Sequence, residues 1–375
     1  MNDQSQFISF CLFLLAVLLT SCISPGRLSK LPKDIHVVEK REAINEYKTG
    51  PNTLTIQYLG AGGLYLLNKN EGILIDPFFS NQKVGKLGWS VLFGKENIRA
   101  NEKMVTYGLK SIEAQTGPLA PQVKAIFSAH GHYDHLLDVP AVFATLNKPM
   151  VYLNQTGYNI CYNTIDKNKM DVLEAHMTTA DKTRPPITWA TDSSSVHVYP
   201  ILADHNPHLK NIKAFDGDIT TPNQTFKNPY DKTTANTWLE GSTFAFVIDY
   251  VTNNKITLRL YIQSSSCNPC PSVAASAKED CLAQLKSLPP HPIDIAFLGI
   301  ASYAASPQYP AELLTALNPT AVVWLHWEDF FRSYTRPPKT VRATNVPAFF
   351  KLDAVNKVKD KAYLPWPKAV LEVKY

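Results

Sequence analysis

Short alternating and apolar runs, punctuated by turn residues, cover most of the chain beyond residue 52. Thr53-Leu54-Thr55-Ile56-Gln57-Tyr58-Leu59 alternates with the period of a strand that buries one face. Residues 60–63 are glycine-rich and mark a turn, residues 64–67 begin a second strand, and residues 72–77 form a short apolar run ending at Asp76-Pro77. Further strands are predicted at 123–127, 150–153, 196–202, 243–250, 255–262, 293–298 and 321–326. Asn253-Asn254 is a hairpin turn signal between two of them. Helices are predicted at 136–146 and 310–317. Residues 80–120 and 206–237 show little periodicity and read as long inserts. The first carries Trp89, Phe93 and Tyr107, and suits a lid or substrate wall. Many strands with interspersed helices predict an α+β protein with two packed sheets and helices outside them.

Length and charge narrow the picture. A chain of 375 residues, 45% hydrophobic, has ample material for a core. Its 37 basic and 32 acidic residues are mixed, with no basic block, so no nucleic-acid partner is expected. Residues 7–19 are apolar but shorter than the roughly 20 residues that span a bilayer. They run into Leu19-Thr20-Ser21-Cys22, which resembles a bacterial lipobox, although residues 1–21 lack the Lys or Arg of a signal n-region. The resemblance implies cleavage before Cys22, lipid attachment there, and an exported protein anchored at a periplasmic or cell-surface membrane. Residues 22–49, polar and weakly patterned, read as a tether to a domain over 50–375. Export permits disulfides, and Cys267, Cys270 and Cys281 are candidates for one. A zinc site through Cys267 and Cys270 is the alternative, but it lacks a matching second pair.

The densest chemistry is Ser128-Ala129-His130-Gly131-His132-Tyr133-Asp134-His135, directly after an apolar strand. Imidazole and carboxylate are the ligands of borderline cations such as Zn²⁺. Alternate residues of an extended segment face one way, so His130 and His132 can share a site, and a turn would carry Asp134 and His135 to a second. His205 and His326 also lie at strand ends, where a rigid scaffold presents reactive groups. His197 and His208 compete for the role of His205; His36, His176 and His291 lack such a context.

The run from His130 to His135 matches the HxHxDH motif and is similar to the metallo-β-lactamase-fold hydrolases. Ile73-Leu74-Ile75-Asp76-Pro77-Phe78-Phe79-Ser80 and Trp324-Leu325-His326-Trp327 resemble the branch containing N-acyl-phosphatidylethanolamine-hydrolysing phospholipase D and the ascorbate-phosphate lactonases. The resemblance implies a four-layer αββα sandwich. It also implies one metal held by His130, His132 and His205, a second held by Asp134, His135 and His326, and Asp76 orienting a ligand from behind. The metals implied are Zn²⁺, one or two ions, or else Mn²⁺ or Fe. One feature departs from the pattern: the segment expected to supply a bridging Asp reads Gln263-Ser264-Ser265-Ser266. Asp204, Glu328 or Asp329 would then have to swing in, or the site would manage without. The function implied is hydrolysis by a metal-activated water, with Asp134 handling its proton, on a phosphodiester or lipid-like substrate. The alternatives are a lactonase or other ester hydrolase, and a lipid-anchored binding protein on a degenerate scaffold.

Overall fold

Among the described residues, two mixed sheets of eight strands each organise the chain. The computed structural model describes residues 25–177, 184–191, 194–207, 213–267 and 281–375. In chain order the strands are β1 (Val37–Val38), β2 (Arg41–Lys48), β3 (Thr53–Gly60), β4 (Gly63–Asn68), β5 (Glu71–Ile75), β6 (Val123–Phe127), β7 (Met150–Leu153) and β8 (Met170–Val172). They continue with β9 (Ile187–Thr191), β10 (Ser194–Ala203), β11 (Thr243–Thr252), β12 (Lys255–Gln263), β13 (Ile295–Gly299), β14 (Ala321–Leu325), β15 (Ala362–Pro365) and β16 (Val370–Lys374). The first sheet has the order β2-β16-β3-β4-β5-β6-β7-β8, the second β1-β15-β14-β13-β12-β11-β10-β9.

Alternation along β4 shows why both faces of the first sheet are buried. Leu64 and Leu66 enter the core between the sheets, with Phe127, Phe246 and Phe297. Tyr65 and Leu67 point the other way, into a second core under helices, with Val105, Leu109 and Ile112. Each such side chain, fully buried, contributes about 1.5–3 kcal/mol. The outer face of the second sheet is covered in turn by Leu313, Leu314 and Leu317. The result is the four-layer αββα sandwich. Asn253 and Asn254 adopt φ of 50° and 58°, the left-handed pair that a tight β11–β12 hairpin needs. Across that hairpin Asp249 faces Arg259 in a buried two-bond pair, Nε to Oδ1 at 2.6 Å and Nη2 to Oδ2 at 2.7 Å.

Two expectations are corrected. The tether over residues 22–49 is largely part of the fold: β1 pairs with β15 and β2 with β16. Its strand character was hidden because β2 buries only Ile44 and leaves most other positions wet. Residues 80–120 are not an irregular insert. Joining β5 to the parallel β6 requires a crossover, supplied by α1 (Val84–Phe93) and α2 (Glu102–Thr116). Asn101 caps α2 by accepting from Met104 N, and Val105, Leu109 and Ile112 form its buried stripe. The described part of the second insert is irregular except for a short turn at Ala235–Thr237. Residues 1–22, Cys270 and His208 lie outside the described residues. No described helix is long and apolar enough to cross a membrane.

Beyond β5, Asp138 ties the loop to the helices by accepting from Phe79 N at 2.6 Å and Ser80 N at 2.7 Å. Burial pushes its carboxyl up to about 6 against a usual value of 3.8. Between about pH 4 and about pH 6 the folded chain keeps this proton while the unfolded chain has lost it, so stability falls as pH rises through that window. Asp138→Asn is expected to remove that fall, which denaturant melts at stepped pH would show; a window as steep as in the wild type would refute the assignment.

Candidate metal centre

Five loops converge where strands of the two sheets end. β5 leads to Asp76, β6 to residues 128–135, β10 to Asp204-His205, β12 to residues 264–267 and β14 to His326. Asp76 and His326 have φ of 45° and 52°, a left-handed conformation that costs a non-glycine residue about 1–3 kcal/mol. Such strain at two neighbouring polar strand ends is the mark of a constrained site.

The side chains gather into two groups. His130, His132 and His205 form one, Asp134, His135 and His326 the other, and within each the possible ligand atoms lie within 4.8 Å of one another. The groups adjoin through His130 and His135, whose ring centres are 4.1 Å apart. His130 Nε2 faces His132 Nδ1 at 3.0 Å, and Asp134 Oδ2 lies 3.4 Å from His326 Nε2 and 3.7 Å from His135 Nε2. His197 is not in the cluster; it sits within β10 and pairs with Ser195 Oγ. His36, His176 and His291 pair with Glu42, Asp171 and Asp294 elsewhere.

Asp76 fixes the second group from behind. Its carboxylate accepts from Ala129 N at 2.7 Å, His135 Nδ1 at 2.8 Å and Ser264 Oγ at 3.2 Å. Donating through Nδ1 turns Nε2 of His135 towards Asp134, where a metal would take the place of its proton; burial opposes that proton, but Asp76 and Asp134 outweigh it and raise the imidazole above its usual range. Gly62 permits this approach: at φ 101°, any Cβ would lie 2.6 Å from Ser264 Cβ.

Two site residues escaped the sequence reading. Residues 239–240 cross over Gly131, whose N donates to Glu240 O at 2.8 Å, and a Cβ on Gly131 would meet Leu239 O at 2.1 Å. The buried Glu240 carboxylate thereby faces the first group, with Oε2 3.9 Å from His132 Nε2 and 4.0 Å from His205 Nδ1. Its other oxygen pairs with Lys213 Nζ at 3.0 Å, and Lys213 also reaches Asp204 at 3.2 Å. Burial pushes the Glu240 carboxyl up to about 7, with Lys213 pulling the other way. Neither residue adjoins a motif in sequence, so no local signal marked them.

The acids expected to replace the missing bridging Asp are committed elsewhere. Glu328 accepts from the Tyr58 hydroxyl and from Ala61 N, Asp329 pairs with Arg342, and Asp204 pairs with Lys213. The serines form a hydrogen-bonded strip instead: Ser264 holds Asp76, and Ser265 Oγ donates to Asp204 O at 2.8 Å. The expected Cys267 disulfide is also corrected. Cys267 is a free, buried thiol that donates to Asp204 O, and burial pushes it up to about 12, which disfavours the thiolate a metal would require. The side chain of Cys281 lies outside the described atoms.

The donor chemistry fits a divalent cation. Burial first, then the neighbouring imidazoles, hold the His130 ring well below its usual range, so it is neutral and its lone pair is available. His130 Nδ1, His326 Nδ1 and Glu240 Oε2 are buried without a hydrogen-bond partner. Burial alone would raise Asp134, but His135 and His326 outweigh it and hold the carboxyl below the usual range.

No family model and no curated protein matches the chain. Solved structures do. A metallo hydrolase from the archaeon Ignicoccus hospitalis is 14% identical, with a TM-score of 0.47 over 86% of this chain and 99% of its own. An isothiocyanate hydrolase from Delia radicum gut bacteria is 12% identical, with a TM-score of 0.46 over 86% and 100%. CmlA, a diiron β-hydroxylase from Streptomyces venezuelae, is 12% identical, with a TM-score of 0.45 over 88% of this chain and 55% of its own.

A cavity of about 240 Å³ approaches the second group through Phe330, although none of the six candidate ligands lines it. Phe330 forms part of its wall and packs on His326, with ring centres 5.1 Å apart. Phe78, Tyr334, Arg332 and Lys368 line it further out.

Glu240→Gln keeps the shape but removes the charge facing two imidazoles. Metal affinity is expected to fall roughly 10–100-fold, read by competition with a chromophoric chelator. An unchanged affinity would show that Glu240 only braces the loop.

Proposed function

We propose that the protein is a metal-dependent hydrolase whose metals are held by His130, His132 and His205 and by Asp134, His135 and His326. The observation that carries this reading is the pair of adjoining ligand groups built from five strand ends. Three imidazoles suit zinc, and two imidazoles with a carboxylate suit zinc, iron or manganese. Bound there, a divalent cation supplies Lewis acidity, polarising a substrate oxygen and easing the ionisation of a water.

The chain's own groups do the rest. Asp134, which His135 and His326 keep ionised, accepts a hydrogen bond from a water and orients it. Asp76 holds His135 in place through a hydrogen bond, and the Glu240 carboxylate faces His132 and His205. Phe330 and Tyr133 exclude bulk water from the second group's side.

The substrate we favour is a phosphodiester or lipid-like ester. The cavity walled by Phe330, which packs on His326, has aromatic walls that suit an apolar body, and carries Arg332 and Lys368 together with the acids Glu328 and Asp329. Lipid attachment at Cys22 would hold such a site beside its substrate. A panel of phosphodiesters, lactones and carboxylic esters, run on the metal-loaded protein, tests the reading. Turnover of a phosphodiester that His132→Ala abolishes supports it. Turnover of lactones alone would move the assignment to that class, and inertness to all three would overturn hydrolysis.

A further inference from the structure

Large apolar side chains exposed to water are few among the described residues, and two of them sit together. Trp89 and Phe93 lie one turn apart on α1, each 58% exposed, with rings stacked at 4.8 Å. Lys83 and Lys86 precede the pair in sequence and Lys95 follows it, all exposed, with the exposed Glu96 next to Lys95. The opposite side of α1 is anchored: Leu87, Gly88 and Ser90 are buried, and Ser90 Oγ accepts from Ala235 N at 2.8 Å. The aromatic pair is therefore presented on a fixed helix rather than on a loose loop.

We propose that this face of α1 docks the protein onto an anionic lipid bilayer. Tryptophan and phenylalanine on one side of a lysine-bearing helix are the composition of an element lying in the membrane interface. The rings enter the headgroup region and the lysines meet lipid phosphates. A second copy of the chain fits poorly, because it would set lysine against lysine. Two rings also cover far less than the roughly 800 Å² per partner of a stable protein interface. The buried side of α1 connects to the metal centre through short links. α1 holds Ala235, Thr233 pairs with Ile98 just after α1, and the chain then runs through residues 239–240 over Gly131.

The test uses metal-loaded residues 25–375, which contain every strand and helix described above and exclude the apolar segment at 7–19. Co-sedimentation is measured with phosphatidylcholine vesicles and with vesicles containing phosphatidylglycerol. Binding is expected to require phosphatidylglycerol. It should weaken at least about tenfold in Trp89→Ser/Phe93→Ser, and its preference for phosphatidylglycerol should vanish in Lys83→Glu/Lys86→Glu. Metal content stays at the wild-type level in both variants, so loss of docking is separable from failure of the metal centre. Absence of wild-type binding, binding untouched by the Trp89→Ser/Phe93→Ser change, or a wild-type dimer that this variant dissolves would each overturn the proposal.

Discussion

His132→Ala is expected to empty the first ligand group and abolish hydrolysis. The rings of His130, His132 and His205 are in mutual contact, at 4.6 Å, 4.7 Å and 4.8 Å between centres, so loss of His132 leaves two donors without their third. Outer positioning residues cost roughly 10–100-fold in metal affinity, and removal of a ligand should exceed that. Equilibrium dialysis against a metal buffer reads the change directly. His291→Ala is the matched control, because His291 serves Asp294 far from the cluster and should leave metal binding intact. Equal affinity in His132→Ala and wild type would remove His132 from the site.

Arg259→Ala should be the most destabilising single change in the scaffold. The guanidinium and Asp249 are both buried, with relative exposures of 3% and 0%, and Arg259 Nη1 also donates to His291 O at 3.0 Å. Truncation leaves the Asp249 carboxylate charged and without its partner between β10 and β12. Breaking a buried pair in this way costs about 3–5 kcal/mol. Replacing both partners, as Asp249→Leu/Arg259→Met, should recover most of the loss, because no orphaned charge remains. Urea melts of the three proteins check this. A double variant no more stable than Arg259→Ala would mean that the pair contributes through shape rather than charge.

Much of the scaffold was legible in the sequence because one face of most strands alternates or both faces are apolar. β3, β6, β10, β14 and the β11–β12 hairpin fall close to their predicted limits. β2 was missed for a physical reason: an edge strand that buries only Ile44 carries almost no hydrophobic signal. α2 does have its stripe at Val105, Leu109 and Ile112, but Gly108 and polar neighbours dilute it. The site divides the same way. The residues at strand ends could be read because the strand announces where its last side chain will sit. Glu240 and Lys213 could not, because they arrive through irregular chain crossing over Gly131, and only the fold brings them there. The unfilled bridging position was legible as a gap, whereas the strip of serines that braces Asp76 and Asp204 was not.

The central claim is that these six residues hold metal, and metal content tests it most directly. Plasma mass spectrometry on the purified chain, after reconstitution with zinc, manganese or iron and removal of free ion, should find about one to two equivalents per chain, with the lower end reflecting the missing bridging acid. The same measurement on a His130→Ala/His135→Ala variant should find almost none. A reconstituted wild-type chain that holds no more metal than this variant would contradict the account and leave a binding protein on the same αββα scaffold.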